Sequence, residues 1–275
     1  MEMLKLSLVS FAVLLTFLAT DCNGVSLNQD LTLTKSQKEA LDKFKANVLP
    51  KLTKDYQKSD IYLIRWLRAK NFNVRAAEEM LMSDLKWRRA EKMDNIHTED
   101  WSDMEEEFPW FMDGYDNEGK PILTANYDEW DLRKGVVAGK LQRIMRWMTY
   151  AQESGVRRVR ELQAEGKNVT QWDFIINMNN FNLVQHGCIQ CLPIYTTFVA
   201  NYESHYPGSC DKIMLLNTPQ VFEVILNLIR PIMSPQTREA LKVYNNNRDE
   251  WDHIVFSDIG RDQLVKEYGG TKVRT

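Results

Sequence analysis

Asp211-Lys212-Ile213-Met214-Leu215-Leu216-Asn217-Thr218-Pro219 leads directly into Gln220-Val221-Phe222-Glu223-Val224-Ile225-Leu226-Asn227-Leu228-Ile229-Arg230-Pro231-Ile232-Met233. The run Ile213 to Leu216 reads as a buried strand, and Asn217-Thr218-Pro219 as a helix start with Thr218 as N-cap and Pro219 at the first helical position. Nine of the thirteen residues from Val221 to Met233 are large and apolar, and they fall on every face of a helix. Such a helix is buried or faces something other than water. It is too short to span a bilayer, which takes roughly 20 residues, and Pro231 ends or kinks it. Two readings follow: a central core helix, or a helix with one face on the protein and the other on a lipid-like ligand.

A chain of 275 residues can bury a sizeable core. Its 35 basic against 38 acidic side chains give no support to nucleic-acid binding. Met1 to Lys5 is a weakly basic leader, Leu6 to Ala19 is almost wholly apolar, and Asp21-Cys22-Asn23-Gly24 follows. This layout predicts a secretory signal peptide over residues 1–24, with a retained membrane anchor as the alternative. Removing it deletes Glu2, Lys5 and Asp21, so the net charge moves from −3 to −2. In a secreted chain the sequon Asn168-Val169-Thr170 marks Asn168 for glycosylation. Cys188, Cys191 and Cys210 then remain, an odd number that leaves one thiol unpaired or intermolecular.

Residues 34–48, 61–69 (capped by Ser59) and 74–89 carry helical periodicity and form a helical lobe over 25–100. The acidic stretch 99–107 reads as a solvated helix or loop. Beyond it, 110–115 and 121–127 around Asp116-Asn117-Glu118-Gly119 predict a hairpin, and 137–164 one long helix. Residues 171–178 predict a strand, 187–206 a helix and 241–244 a short strand. Strand alternating with helix makes 101–275 an α/β domain with a mixed or largely parallel sheet.

Several segments together resemble the CRAL-TRIO family of lipid-binding proteins. They are Ile64-Arg65-Trp66-Leu67-Arg68-Ala69-Lys70-Asn71-Phe72, Glu79-Met80-Leu81 with Trp87-Arg88, and Gly114-Tyr115-Asp116 with Gly119-Lys120-Pro121. Asn201-Tyr202-Glu203 with Tyr206-Pro207, Ile229-Arg230-Pro231 with Ser234-Pro235-Gln236-Thr237-Arg238, and Lys266-Glu267-Tyr268-Gly269-Gly270 complete the set. Order and spacing hold from about residue 34 to 271, and the subgroup most similar is the supernatant protein factor (tocopherol-associated) type, without its C-terminal β-sandwich. The resemblance implies a helical lobe, a mixed sheet as floor of an apolar pocket covered by helices, and a gate helix over 219–233 that swings to admit a lipid. It implies no enzymatic activity and no cofactor. Phosphatidylinositol-transferring members place an acid after the Tyr-Pro pair, where this chain has Gly208, and a lysine where it has Ala240, with Lys242 nearby. Where phosphatidylcholine binders place small hydroxyl residues, Trp172 and Phe174 stand. Both departures point to a less polar ligand. The family's turn after that strand falls on Asn177-Met178-Asn179-Asn180, and Asn tolerates the left-handed conformation a glycine would supply.

The expected lining is Trp172, Phe174 and Ile176, which alternate along one strand face, with Phe198, Tyr202, Phe222, Ile225, Leu226 and Ile229. For each of them plain core packing is an equal reading. Cys188-Ile189-Gln190-Cys191 opens a helix, which suggests thiol-disulfide oxidoreductase chemistry as one alternative. A lipid-sensing interaction module, with Asp100 to Glu107 as its contact, is another. Gly114-x-x-x-x-Gly119-Lys120 imitates a phosphate-binding loop, but Pro121 stands where a hydroxyl must hold magnesium. His97, His186, His205 and His253 lack metal-ligand spacing. Arg65 and Arg68, one turn apart, could hold a phosphate or pair on the helix surface. The leading expectation is a carrier of a hydrophobic ligand that meets a membrane surface transiently and enters the secretory pathway.

Overall fold

The computed structural model describes residues 30–274, so the predicted leader lies outside the described residues. Three capped helices open the chain: α1 (Lys35–Val48), α2 (Asp60–Ala69) and α3 (Val74–Ala90). Thr34 and Gln37 form a reciprocal capping box on α1, Ser59 accepts from Tyr62 N on α2, and Asn73 accepts from Ala76 N on α3. Leu41, Phe44, Leu63, Ile64, Leu67 and Leu81 meet in a core of their own. Arg68 pairs with Asp30 at 2.6 Å, so its charge is spent inside this lobe.

The lobe is tied to the rest through α3. Trp87 stacks on His205, ring centroids 3.6 Å apart, and His205 Nδ1 lies 2.9 Å from Asp84 Oδ1. Arg88 reaches Glu153 at 2.8 Å, and Arg160 reaches the same carboxylate at 3.0 Å. Glu153 is 2% exposed. Burial alone would raise its pKa, but the two guanidiniums outweigh that and hold it at about 2.

The acidic stretch 99–107 holds a short helix, α4 (Ser102–Glu107), with Asp100, Glu105 and Glu106 exposed. Its other acids are paired: Glu99 with Arg146, Asp103 with Arg143 at 2.9 Å, and Glu107 with Lys140 at 2.7 Å. These three clamp the stretch to the cations opposite.

The sheet runs in the order β1 (Trp110–Tyr115), β2 (Pro121–Asn126), β3 (Trp172–Asn177), β4 (Cys210–Leu216), β5 (Leu241–Val243). β1 and β2 form the antiparallel hairpin, and the other neighbours pair in parallel. Asp116 Oδ1 accepts from Glu118 N and Lys120 N and closes the hairpin turn. Crossover helices put apolar matter on both faces, which is why β2 and β3 are buried throughout. Leu123, Phe174 and Leu215 face one core, while Ile122, Ile175 and Met214 face another, sealed by α10 (Arg248–Asp258) and the closing segment with Leu264 and Tyr268.

Three predicted boundaries are corrected. The long helix expected from Val137 begins only at Leu141, as α6 (Leu141–Ala164), because Gly139 takes a left-handed φ of 81° between it and a separate short helix, α5 (Leu132–Val137). The helix expected from Gly187 begins only at α7 (Leu192–His205), after a single 3-10 turn at Ile189–Cys191. Thr218 is not an N-cap: its hydroxyl donates back to Leu215 O at 3.2 Å, and its N–H donates to Tyr244 O at 2.8 Å. These bonds hold the chain at the sheet past Pro219, so a 3-10 turn (Gln220–Phe222) precedes α8 (Glu223–Ile229). Next comes α9 (Pro235–Ala240), capped by Ser234.

Candidate functional site

The period of two along β3 puts Trp172, Phe174 and Ile176 on one face, and β4 sets Ile213 and Leu215 beside them. α7 crosses above and supplies Phe198, Val199 and Tyr202; the 3-10 turn before α8 and α8 itself close the space with Phe222 and with Leu226 and Ile229. These side chains enclose an apolar cavity of about 100 Å³. Phe174 meets Phe198 at 5.7 Å between ring centroids and Trp172 at 5.9 Å. Trp172 lies where it does because residue 155 of α6 is glycine: a Cβ there would come within 2.5 Å of the indole.

Of the nine expected lining residues, eight border this cavity. Ile225 does not. It is fully buried in the surrounding core, one position round the helix from Leu226. The wall also contains residues that sequence reasoning missed, among them Tyr127, Met148, Ile194, Tyr195, Met233 and Leu241. Tyr195 shares a stripe of α7 with Phe198, Val199 and Tyr202; Tyr127, read as the last residue of the strand 121–127, sits instead in the 3-10 turn that follows β2. Among the described residues no charged side chain lines the wall.

α8 is amphipathic in a particular sense. Ile225, Leu226 and Ile229 are buried, while Val224 is 56% and Leu228 38% exposed. Apolar residues therefore cover its outer face as well. At the near end the chain turns through Asn217 at φ 54°, whose side chain donates to Asn177 Oδ1 at 2.8 Å. Asn180 takes φ 60° in the turn after β3, as its residue type allows. At the far end Ser234 N donates to Glu203 Oε1 at 3.0 Å, and Arg238 Nε donates to Met233 O at 3.0 Å. An ion pair between Arg230 and Glu223 lies along the outer side.

Cys188 and Cys191 are joined by a disulfide at the head of α7, and Cys210 is a free, buried cysteine on the cavity wall. Cys191 is fully buried. The bridge pins the turn that starts α7, and a redox-catalytic reading is not favoured. Asp116, Glu118 and Asp211 approach one another closely enough to suggest a cation site. The ammonium groups of Lys120 and Lys212 already sit among them, however, at 2.7 Å and 3.4 Å from Asp211. Asn168 lies exposed on the loop between α6 and β3.

Comparison with known proteins agrees with this architecture. Residues 105–270 match the model of the CRAL/TRIO domain, 166 of the 275 residues. The CRAL-TRIO domain-containing protein T23G5.2 of Caenorhabditis elegans is 23% identical over 223 residues, which cover 79% of this chain and 30% of that protein. The chain thus spans less than a third of that relative's length. The crystal structure of Sfh5 superposes with a TM-score of 0.64 at 14% identity, covering 80% of this chain and 84% of the other. Neither relative singles out the supernatant protein factor type. A family model that covers more than half the length, on the mixed sheet it implies, shows that the chain belongs to the CRAL/TRIO domain family.

Proposed function

We propose that the protein is a non-enzymatic carrier that binds a hydrophobic ligand, phospholipid or tocopherol- or retinoid-like, and moves it between membranes, with residues 219–233 as the gate. A sixteen-carbon chain in water costs about 13 kcal/mol at ~0.8 kcal/mol per methylene. An apolar cavity removes most of that cost and makes extraction a transfer between two oily phases. The observation that carries the reading is an apolar cavity with no charged wall residue, closed by a short helix whose outer face is apolar too. At about 100 Å³ the cavity is smaller than the roughly 300–1,000 Å³ of small-molecule pockets, so loading must displace the gate.

The outer face of the gate supports transient contact with a bilayer. Val221 and Ile232, each 37% exposed, extend the apolar surface of Val224 and Leu228. The adjoining loop adds Val184 at 63% and Ile189 at 81%. Patches of this kind mark membrane or partner contact. A secretory location is supported by the leader pattern and the bridged cysteines; of the sequon, Asn168 is exposed while Val169 and Thr170 are buried. Native mass spectrometry of the protein from the culture medium of a secreting host, followed by solvent extraction, tests the reading. A stoichiometric lipid is expected; a ligand-free protein that extracts nothing from vesicles would end it.

A further inference from the structure

The apolar cavity has a second space behind one end of its wall. Between the helical lobe and the sheet domain lies a cavity of about 80 Å³, bordered by Tyr62, Arg65, Val156, Val159, Tyr206 and Ser209 among others. Trp172 borders the apolar cavity. Its indole Nε1 donates to Ser209 Oγ at 3.3 Å, and Ser209 borders the interlobe space. The indole also lies against Gly155 of α6, and the next residue, Val156, borders the interlobe space as well. The ring, 1% exposed, therefore stands as a partition between the two spaces.

Three contacts hold it there. A Cβ on residue 155 would sit 2.5 Å from Trp172 Cδ2, 2.6 Å from Cε2 and 3.0 Å from Cε3, so only glycine lets the ring seat this deeply. Turning the ring would break the bond to Ser209 and leave a buried donor unpaired. From the cavity side Phe174 braces it, with ring centroids 5.9 Å apart.

Resting on the carrier reading, we infer that Trp172 sets the length of the hydrophobic cargo, its indole being the end-stop of the apolar cavity and Gly155 the positioning residue that fixes the depth of that stop. A chain that reaches the indole meets a close-packed wall that does not yield by a methylene without strain. Removing the ring joins the two spaces and leaves room that apolar matter can fill.

The test uses the whole secreted protein with phosphatidylcholine vesicles that carry equal amounts of 1-dodecanol, 1-hexadecanol and 1-icosanol. Mass spectrometry quantifies each alcohol extracted. The long-to-short ratio of a variant is divided by that of the parent, so that the preference of the bilayer cancels. Trp172→Val is expected to raise this ratio at least about tenfold, since each methylene newly housed is worth about fourfold. Trp172→Phe, the conservative change, raises it by less, and Gly155→Ala lowers it. Adding Gly155→Ala to Trp172→Val has no further effect on the ratio, because no indole remains to be pushed. Thermal unfolding shows whether each variant is folded, and Trp172→Phe decides if Trp172→Val is not. An unchanged ratio in the folded Trp172 variants, a uniform loss of all three alcohols, or a Gly155→Ala effect that persists without the indole would overturn the inference and leave the carrier intact. Extraction of none of the alcohols by parent or variants would overturn both.

Discussion

Phe222, at the head of the gate, meets Phe181 of the loop after β3 edge to face, with ring centroids 4.9 Å apart and planes at 87°. In this structure the contact holds the segment 219–233 against the loop that follows β3. Truncating either ring to alanine is expected to destabilise by about 3 kcal/mol, and a double-mutant cycle to show a coupling of about 1 kcal/mol. Denaturant unfolding of the two single variants and the double variant measures both. Strict additivity would mean that the rings do not act as a pair.

Val224 and Leu228 stand on the outer face, so their replacement separates membrane contact from folding. The Val224→Asp, Leu228→Asp variant should unfold within about 0.5 kcal/mol of the parent, as surface changes do. Its binding to vesicles should fall at least about tenfold, since each apolar side chain is worth roughly 1.5–3 kcal/mol on burial. Flotation and lipid-transfer assays read this directly. Ile225→Asp, at a fully buried position, is expected to unfold the gate instead.

Glu153 makes stability depend on pH in the acid range. Its folded pKa of about 2 lies below the ordinary 4.5. Its contribution is therefore complete above pH 4.5 and lost as pH falls toward 2. Glu153→Gln should cost about 3–5 kcal/mol at pH 7, because Arg88 is left buried without its counterion. The variant should also flatten the loss of stability between pH 5 and 2. Urea titrations at stepped pH provide the measurement, and parallel curves for parent and variant would contradict it.

Gly155 is a packing test. A methyl at this position drives into Trp172, so Gly155→Ala should destabilise by about 1–3 kcal/mol and push the indole toward the cavity. Reduced uptake of a bulky fluorescent lipid, alongside a lowered melting temperature, is the expected pair of results.

Much of the layout was legible from residue patterns, and the limits were physical. The alternation Trp172, Phe174, Ile176 marked one face of a strand, and the hairpin around Asp116 was marked by its turn residues. The left-handed turn at Gly139, which moves the start of α6 from Val137 to Leu141, was hidden because apolar residues stand on both sides of it. Thr218 had the chemistry of a cap, but two tertiary bonds took its hydroxyl and N–H elsewhere. Leu226 and Ile225 look alike in sequence, and only the seating of the gate on the sheet decides which of them borders the cavity.

On the carrier reading proposed above, the far side of the sheet, shut by α10 and the closing segment, would leave the side of residues 219–233 as the route for cargo. Loading and delivery then share one doorway, so the protein imposes no direction of its own. Net flow is set by which of two membranes holds the cargo at the higher chemical potential.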